Sequence, residues 1–336
     1  MMVIVKFGQG KGKAGRCSDM NTNHILKGAF LCLIASVAWG AMFPVAESAF
    51  AHLDPFFFSV IRYSAVSVIL LVLLWLKEGG RALRFDGRGA PLWFFGTMAF
   101  TVYNLLVFWG QNRLGTSGVI LASVMEALMP MISVLVLWIW SRKRPAPFTV
   151  GCIAVALVGC FLVITKGDFH AFLLGADRLF PVLVIFVGVL GWVIYTIGGD
   201  VFAEWSVLRY STLSCVLGTA TSLAVVLVLA AFGLLSVPSL PSIWSAGPEL
   251  GFMILVAGVL ALVSWNAGVK QLTPINGILF INFVPVTTFV ISVMQGYRLT
   301  LFDAGGTLLI IAALVANNLY QRRQLKLSAA AARATS

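Results

Sequence analysis

The residues best placed to do chemistry are ionisable side chains inside apolar stretches. Glu126 lies near the centre of one such stretch, four residues before Pro130. Burying a charge away from water is costly, so an isolated carboxyl of this kind marks a candidate functional site. We expect Glu126 to take part in proton coupling or to contact an ammonium group of a ligand. A protonated carboxyl that is hydrogen-bonded within the protein is the purely structural alternative.

A short basic motif occurs twice in the chain. The run IRYS at 61–64 returns as LRYS at 208–211, and each arginine follows a carboxylate near the end of the preceding apolar stretch. The pattern predicts two charge pairs, Glu47–Arg62 and Asp200–Arg209, which act as anchors or gates. Arginines that reach towards lipid headgroups are the alternative.

Aromatic and amide side chains recur at matched places in the two halves. Matched helix-breaking prolines are the best sequence indication of a binding site at mid-membrane. We therefore expect a ligand-binding cavity near Pro130 and Pro285, although such prolines are also ordinary in membrane helices. The predicted lining residues, besides Glu126, are Trp39, Tyr103, Trp192, Trp265, Asn266 and Asn282. Aromatic residues also pack between helices or lie in the interfacial belt, which is the competing interpretation.

Composition shows what must position these residues. The chain has 336 residues, of which 60% are hydrophobic and 10% charged, against ~25% charged in soluble domains. Too few polar residues remain to cover a surface in water, so most of the surface must face lipid. The net charge is +11, and the Lys and Arg residues lie mostly between the apolar stretches. Aromatic residues are not interleaved with them, which argues against nucleic acid as a partner.

Ten apolar segments follow a polar, basic start. We place them at 26–50, 56–76, 91–111, 116–140, 147–166, 180–202, 206–235, 249–269, 274–297 and 302–320. A membrane helix needs ~20 apolar residues, and backbone groups in lipid must be paired within the segment. The sequence therefore predicts an all-α polytopic membrane protein with ten transmembrane helices.

Basic residues between the segments predict the orientation. With the N-terminus inside, seventeen of the 23 Lys and Arg residues lie on the inner side and four on the outer side. This bias predicts that both termini are cytoplasmic. Five helices per half is an odd number, so the second half enters from the opposite side. The halves then form a 5+5 inverted-topology repeat around a central cavity.

These expectations divide the chain into five parts. Residues 1–24 form a disordered basic extension, 25–166 the first five-helix repeat and 167–179 a periplasmic linker. Residues 180–322 form the second repeat, and 323–336 a cytoplasmic tail.

The chain resembles the drug/metabolite transporter superfamily and, within it, the EamA family. The features that carry the resemblance are Trp39-Gly40, Arg62-Tyr63, Pro130, Gly151 and Gly159. The resemblance covers roughly residues 26–322. It implies secondary transport in the bacterial inner membrane, with export of small metabolites such as amino acids by alternating access. The residues leave proton coupling and a homodimer open.

Two other protein classes fit the pattern less well. An intramembrane serine protease would use the Gly115–Gly118 run (GTSG), but the histidines at 24, 52 and 170 lie at segment ends or in loops. A serine nucleophile needs such a base within reach. A channel would give flux that barely saturates. We expect no catalytic residue, cofactor or metal site.

Overall fold

The computed structural model describes residues 22–142, 144–168, 176–272 and 278–334, and every regular element in these ranges is helical. Residues 1–21 of the predicted N-terminal extension and 169–175 of the predicted linker lie outside the described residues. The helical elements of the described ranges, of which at least eight are long and apolar enough to span a membrane, confirm the expectation of an all-α polytopic membrane protein.

Fourteen α-helices are described. They are α1 (Thr22–Ala49), α2 (Pro55–Glu78), α3 (Gly89–Thr97), α4 (Asn104–Leu114), α5 (Thr116–Ala127), α6 (Met129–Ser141), α7 (Pro147–Thr165), α8 (Ala176–Gly198), α9 (Val207–Ala231), α10 (Leu240–Ser245), α11 (Gly247–Gly251), α12 (Ala261–Leu272), α13 (Phe283–Met294) and α14 (Leu301–Ala334). A π-helical stretch, Met98–Tyr103, joins α3 to α4, and a second, Phe252–Leu260, joins α11 to α12. Short 3-10 turns occupy Gly80–Leu83, Gly199–Phe202 and Ile278–Asn282.

Eight helical spans in the described ranges are long and apolar enough to cross a membrane, or nine if the bent pair α5–α6 is one span. The ninth predicted segment is shorter: its described apolar helix covers Phe280–Met294. Numbered as in the sequence, segments 1 and 2 are α1 and α2, segment 3 is α3–α4, segment 4 is α5–α6 and segment 5 is α7. Segments 6 and 7 are α8 and α9, segment 8 is α11–α12, and segments 9 and 10 are α13 and α14.

Local sequence explains where the segments turn. Asp54 caps α2 by accepting a 2.8 Å hydrogen bond from the backbone N–H of Phe56, and Pro55 occupies the first helical turn, where its missing N–H costs nothing. Between α4 and α5 a single residue, Gly115, turns the chain at φ +58°. Such a φ is strained for residues with a Cβ, so this sharp corner depends on glycine.

Small residues let the segments approach closely. A Cβ on Gly40 of α1 would lie 2.5 Å from the carbonyl oxygen of Val284 on α13, and one on Gly159 of α7 would lie 2.5 Å from that of Gly306 on α14. Helices in lipid associate largely through such close backbone packing. The contacts tie segment 1 to segment 9 and segment 5 to segment 10.

The two π-helical stretches occupy corresponding places in segments 3 and 8. A π-turn leaves a backbone carbonyl without its usual i+4 partner. In segment 3 the side-chain amide of Asn104 donates to the Ala99 carbonyl at 2.8 Å, and Ser222 donates to that of Phe100 at 2.9 Å. Polar side chains therefore supply hydrogen bonds at a place where the regular helix is interrupted.

Contacts between segments follow a regular plan. Segment 1 packs on segments 8 and 9, segment 2 on segments 7 and 8, segment 3 on segments 6 and 7, and segment 5 on segment 10. All seven of these contacts join the first five segments to the last five. The core is consequently shared between the two parts of the chain.

The two corners that the sequence repeats lie at opposite ends of the bundle. Helix α2 has 24 residues and is therefore about 36 Å long. Its beginning adjoins the α1–α2 corner, whereas its last residue, Glu78, accepts a 2.5 Å hydrogen bond from Ser206 in the α8–α9 corner. The corners around 50–54 and 199–206 are thus separated by the length of α2.

Candidate functional site

A central cavity with a free volume of about 60 Å³ lies between the two parts of the chain. Its walls come from segments 1, 2, 3 and 4 and from segments 6, 7 and 8. The lining residues are Trp39, Met42, Arg62, Tyr63, Val66, Leu70, Phe100, Tyr103, Glu126, Trp192, Tyr195, Ser211, Ala257, Gly258 and Leu262. Typical small-molecule sites are several times larger, ~300–1,000 Å³, so the space between the two parts of the chain is narrow in this structure.

Both π-helical stretches contribute to the wall. Phe100 and Tyr103 come from the first stretch, and Ala257 and Gly258 from the second. The indole N–H of Trp39 donates to the Ala257 carbonyl at 3.2 Å. Segment 1 is therefore hydrogen-bonded to the interrupted part of segment 8 at the cavity.

Aromatic rings form much of the wall on the side of segments 3 and 6. The rings of Tyr103 and Trp192 lie 5.0 Å apart, and Trp192 also contacts Tyr195 at 5.5 Å and Phe100 at 6.2 Å between centroids. Rings at these distances and tilts pack favourably. They give the cavity a rigid, mostly apolar surface with a few hydroxyl groups.

Arg62 lies at the cavity rather than at a lipid boundary. Its side chain is 2% exposed; Nη2 donates to the Tyr63 hydroxyl at 3.1 Å and lies 3.4 Å from the sulfur of Met42. The guanidinium also lies over the Tyr63 ring, 4.6 Å from its centroid. Nε and Nη1 are buried and have no hydrogen-bond partner. The snorkelling alternative is therefore wrong for Arg62.

Glu126 lies on the same cavity, one turn before a bend. α5 and α6 meet at 53°, with Pro130 in the first turn of α6. A proline cannot donate to the carbonyl four residues earlier, and here that carbonyl belongs to Glu126. Glu126 lines the same space as Tyr103 and Arg62, and its Oε2 atom is buried without a partner.

The structure brings Trp39, Tyr103, Glu126 and Trp192 together around the cavity. Trp265 packs behind Trp39, with centroids 5.4 Å apart, but is not part of the lining. The remaining predicted binding residues, Asn266 and Asn282, and the second proline, Pro285, are also not part of the lining. Pro285 is buried in the first turn of α13, after a 3-10 turn that ends at Asn282.

Both predicted charge pairs need correction. Glu47 accepts a 3.3 Å hydrogen bond from Gln111 on α4, which also donates to the Phe43 carbonyl at 2.9 Å. Arg62 instead contacts Tyr63 and Met42 at the cavity, so the Glu47–Arg62 pair is wrong. The physical reason is that the Glu47 carboxylate turns towards α4, whereas the guanidinium of Arg62 turns towards the cavity.

Arg209 pairs with Asp86 instead of with Asp200. Its Nη2 lies 2.6 Å from the Asp86 carboxylate and 2.7 Å from the Arg84 carbonyl, and its guanidinium stacks over Trp205 at 4.0 Å. The loop between α2 and α3 reaches the α8–α9 corner, which the sequence does not reveal. Asp86 has φ +48°, a conformation that Asp tolerates better than most residues.

A group of polar contacts, which we term the loop clamp, joins these two loops. Besides the pair at Asp86 and Arg209, Arg88 pairs with Glu204 at 3.1 Å and donates to the Val201 carbonyl at 3.2 Å. The bond from Ser206 to Glu78 completes the group. All of these contacts cross from the first half of the chain to the second.

A different polar network lies at the other end of the bundle. Lys166 at the end of α7 donates to Ser117 and to the Tyr297 hydroxyl, both at 2.9 Å, and Tyr297 donates to Asp303 at 3.0 Å. Burial, followed by the neighbouring Asp303 carboxylate, raises the pKa of Tyr297, so the phenol stays protonated. Ser117, the serine of the GTSG run, therefore serves this network.

Sequence reasoning missed several lining residues. Tyr63 and Ser211 belong to the repeated IRYS and LRYS runs, so the repeat itself was a usable signal for them. Met42 follows Trp39, and Tyr103 follows Phe100, at a spacing of three, which places each pair on one helical face. For Ala257 and Gly258 there was no such signal, because the whole stretch is apolar and small residues recur along it, as at Gly251, Ala261 and Gly268.

Two aromatic clusters bracket the cavity along the bundle. Phe50, Phe58 and Phe108, the first aromatic cluster, have centroids 5.6 to 6.0 Å apart near the α1–α2 corner. Near the α8–α9 corner, Tyr210 stacks on Tyr195 at 5.0 Å and contacts Phe202 at 5.2 Å, forming the second aromatic cluster. The cavity therefore lies between the two clusters along the bundle.

The chain is similar to known proteins, and this similarity identifies its family. A family model described as the EamA-like transporter family matches residues 26–165 and again residues 179–319. The chain belongs to the EamA-like transporter family. Two copies of the family domain cover nearly the whole membrane part, as expected of a member of the drug/metabolite transporter superfamily.

Curated relatives agree with the family. An uncharacterized transporter, YrdR of Bacillus subtilis (strain 168), is 48% identical over 305 residues, covering 91% of this chain and 95% of the relative. A second uncharacterized transporter of that organism, YyaM, is 28% identical over 282 residues, covering 82% and 88%. The protein is accordingly a multi-pass membrane transporter.

One solved structure shares the fold. It is described only as the crystal structure of a protein, covers 90% of this chain and 99% of its own, and has a TM-score of 0.62 at 20% identity. At this identity the likeness concerns the fold alone.

Proposed function

We propose that this transporter exports small organic metabolites from the cytoplasm across the plasma membrane by alternating access, as a secondary carrier. The observation that carries the proposal is the central cavity, whose walls come from both halves of the chain. A site shared between two halves can be opened to one side or the other by rocking the halves against each other.

We further propose ten transmembrane segments in an inverted repeat of 25–166 and 180–322. In such a repeat, segments 1, 2 and 3 correspond to segments 6, 7 and 8. The two-fold relation therefore maps the contact between segments 1 and 8 onto the contact between segments 6 and 3. It also turns the contact of segments 2 and 8 into that of segments 7 and 3, and both sets occur. The corresponding corners, at 50–54 and 199–206, lie at opposite ends of the bundle, which supports inversion.

The charge bias supports a cytoplasmic position for both termini. In that orientation the loop clamp lies on the cytoplasmic side, and the first aromatic cluster and the Lys166 network lie on the outer side. The clamp then acts as a cytoplasmic gate and must release before solute enters. This role replaces the one that we expected for Asp200–Arg209.

Transport by purified protein in proteoliposomes tests the proposal. We expect saturable flux of at least one solute from a labelled metabolite panel, measured with and without a pH gradient. Gly258 lines the cavity, and a Cβ there would lie 2.8 Å from Val66, whereas Gly251 on the same segment faces open space. Gly258→Val should abolish the flux, and Gly251→Val should preserve it.

Two outcomes would count against the proposal. Flux that stays linear with solute concentration would favour a channel. Absence of saturable flux for every solute, with folded protein in the membrane, would contradict the carrier function itself.

A further inference from the structure

A group of arginines lies where segments 5 and 10 meet, at the end of the bundle opposite the Lys166 network. Helices α7 and α14 run antiparallel: Gly159 lies against Gly306, and the Phe148 ring packs on Tyr320 with centroids 4.7 Å apart. This register brings the loop before α7 next to the part of α14 that follows Tyr320. The arginines there, all exposed or half-buried, form what we term the basic rim: Arg142, Arg144, Arg322 and Arg323.

The basic rim lies in stretches of sequence that contain no acidic residue. No Asp or Glu occurs from residue 127 to residue 167 or from residue 304 to residue 336. The loop clamp is different, because its arginines pair with Asp86 and Glu204. Several positive charges brought together without carboxylates from their own segments create a local potential that attracts an anion.

The surface next to the basic rim is apolar. Trp138 and Trp140, 38% and 76% exposed, lie at the end of α6, shortly before Arg142. Tryptophan at the end of a membrane helix is typical of the headgroup level. Phe148 and Leu319, 47% and 54% exposed, continue the apolar surface along α7 and α14. The rim therefore adjoins a surface that suits acyl chains.

We propose that the basic rim binds the phosphate group of an anionic phospholipid, whose acyl chains lie against the exposed faces of α6, α7 and α14. A guanidinium holds phosphate through charge-assisted hydrogen bonds, and basic clusters beside the end of a membrane helix recognise anionic lipids. Phosphatidylcholine fits less well, because its choline cation would lie beside the arginines. A water-soluble phosphate would leave the apolar surface uncovered. The site is separate from the central cavity and does not depend on the carrier mechanism.

Competition between two lipids tests the site on the purified full-length protein in detergent. The protein receives equal amounts of phosphatidylglycerol and phosphatidylcholine with identical acyl chains, and native mass spectrometry counts the lipids that stay bound. We expect phosphatidylglycerol to occupy the first site with a preference of at least about fivefold. Equal occupancy by the two lipids, or retention of neither, would overturn the proposal.

Paired substitutions separate a defined site from attraction by net charge. Arg144→Gln combined with Arg323→Gln removes one charge from each side of the basic rim and should lower the preference to less than about twofold. Lys77→Gln combined with Arg81→Gln removes the same charge at exposed residues near the loop clamp and should keep the preference of the unaltered protein. An equal loss in both double variants would mean that net charge alone attracts the lipid, and the site would be refuted.

Two further measurements keep the result decisive. If the double variant at the rim fails to fold, Arg144→Gln and Arg323→Gln alone should each lower the preference roughly 2- to 5-fold, and an unchanged preference in both would contradict the proposal. Glycerol phosphate carries the same anionic group without acyl chains and should not displace the bound lipid. Displacement would show that the rim takes free phosphate, and the assignment to a lipid would be wrong.

Discussion

Arg62 shows how much the role of one residue depends on its neighbours. By sequence it lies beside the end of an apolar segment, where pairing with Glu47 or contact with headgroups is reasonable. The structure turns its guanidinium inwards against Tyr63 and Met42 and places Gln111 beside Glu47. Glu47 and Arg62 therefore belong to different sites, and their substitutions should act independently.

Double-mutant cycles test this independence. We expect Glu47→Gln to change transport less than about twofold, because a glutamine oxygen still accepts the bond from Gln111. Its effect should add to that of Arg62→Gln within ~0.5 kcal/mol. Glu126→Gln should couple to Arg62→Gln by ~0.5–3 kcal/mol. If Glu47→Gln coupled to Arg62→Gln as strongly as Glu126→Gln does, the interpretation of Glu47–Arg62 as a gate would be restored.

Single residues were predictable where their chemistry conflicts with their surroundings. Glu126 stands out because a carboxyl in an apolar segment needs a reason, and Trp39 and Trp192 stand out because the repeat matches them. The pairing of Arg209 with Asp86 was not predictable. Asp86 lies in a polar loop where a carboxylate is ordinary, and only the fold brings that loop to the second corner.

At the scale of elements, three of the seven segments that line the cavity are irregular. Segments 3 and 8 each contain a π-helical stretch, and segment 4 bends by 53° at the α5–α6 junction. Regular helices present a uniform backbone, whereas these interruptions bring Tyr103, Ala257 and Glu126 to one space. Apolar composition predicts the length of a segment, but it carries no signal for a π-turn, so these stretches were not foreseen.

The contact between α7 and α14 gives a matched pair of stability predictions. A Cβ on Gly306 would lie 2.5 Å from the Gly159 carbonyl, whereas one on the adjacent Gly305 meets nothing within 4 Å. Gly306→Ala should destabilise the protein by about 1–3 kcal/mol through overpacking. Gly305→Ala should be neutral or slightly stabilising, because alanine favours helix.

Thermal unfolding in detergent measures both glycine variants. The midpoint for Gly306→Ala should fall below that of Gly305→Ala. Equal midpoints would mean that α7 and α14 do not pack through these glycines.

The loop clamp predicts a change in access to the cavity. Ser211 lines the cavity near the clamp and is 2% exposed. In a Ser211→Cys background, Asp86→Asn and Arg209→Gln should each raise the rate of thiol labelling from the clamp side roughly 2- to 5-fold, since partly exposed ion pairs contribute up to ~1 kcal/mol. Asparagine tolerates the positive φ at position 86, so backbone strain does not confound the change.

Arg81→Gln, at an exposed arginine of the same loop, is the control and should leave labelling unchanged. The double substitution of Asp86 and Arg209 should act no more strongly than either single one. Unchanged labelling in all three clamp variants would show that the clamp does not govern access.

At the scale of the whole molecule, the chain combines two copies of one family domain into a single core. The apolar segments predict the helices, because lipid allows few alternatives, and the repeated IRYS and LRYS runs predict the two copies. The apolar segments predict less well how the ninth segment is built: its described part is a 3-10 turn and a 12-residue helix.

Inversion itself makes a prediction about sidedness. Ala51 and Ala203 are exposed residues in the corresponding corners of the two halves. In intact cells an impermeant thiol reagent should label Ala51→Cys from outside, whereas Ala203→Cys should react only after the membrane is opened. Labelling of both cysteines from the same side would rule out the inverted arrangement.

Solute exchange across a proteoliposome membrane tests the central claim, alternating access to one shared cavity, most directly. The measurement is the uptake of a labelled transported solute into vesicles that contain an excess of the same solute without label. We predict that internal solute accelerates the uptake, because a carrier returns faster when loaded, and that Gly258→Val removes the effect while Gly251→Val retains it. Uptake that is indifferent to internal solute and does not saturate would contradict alternating access.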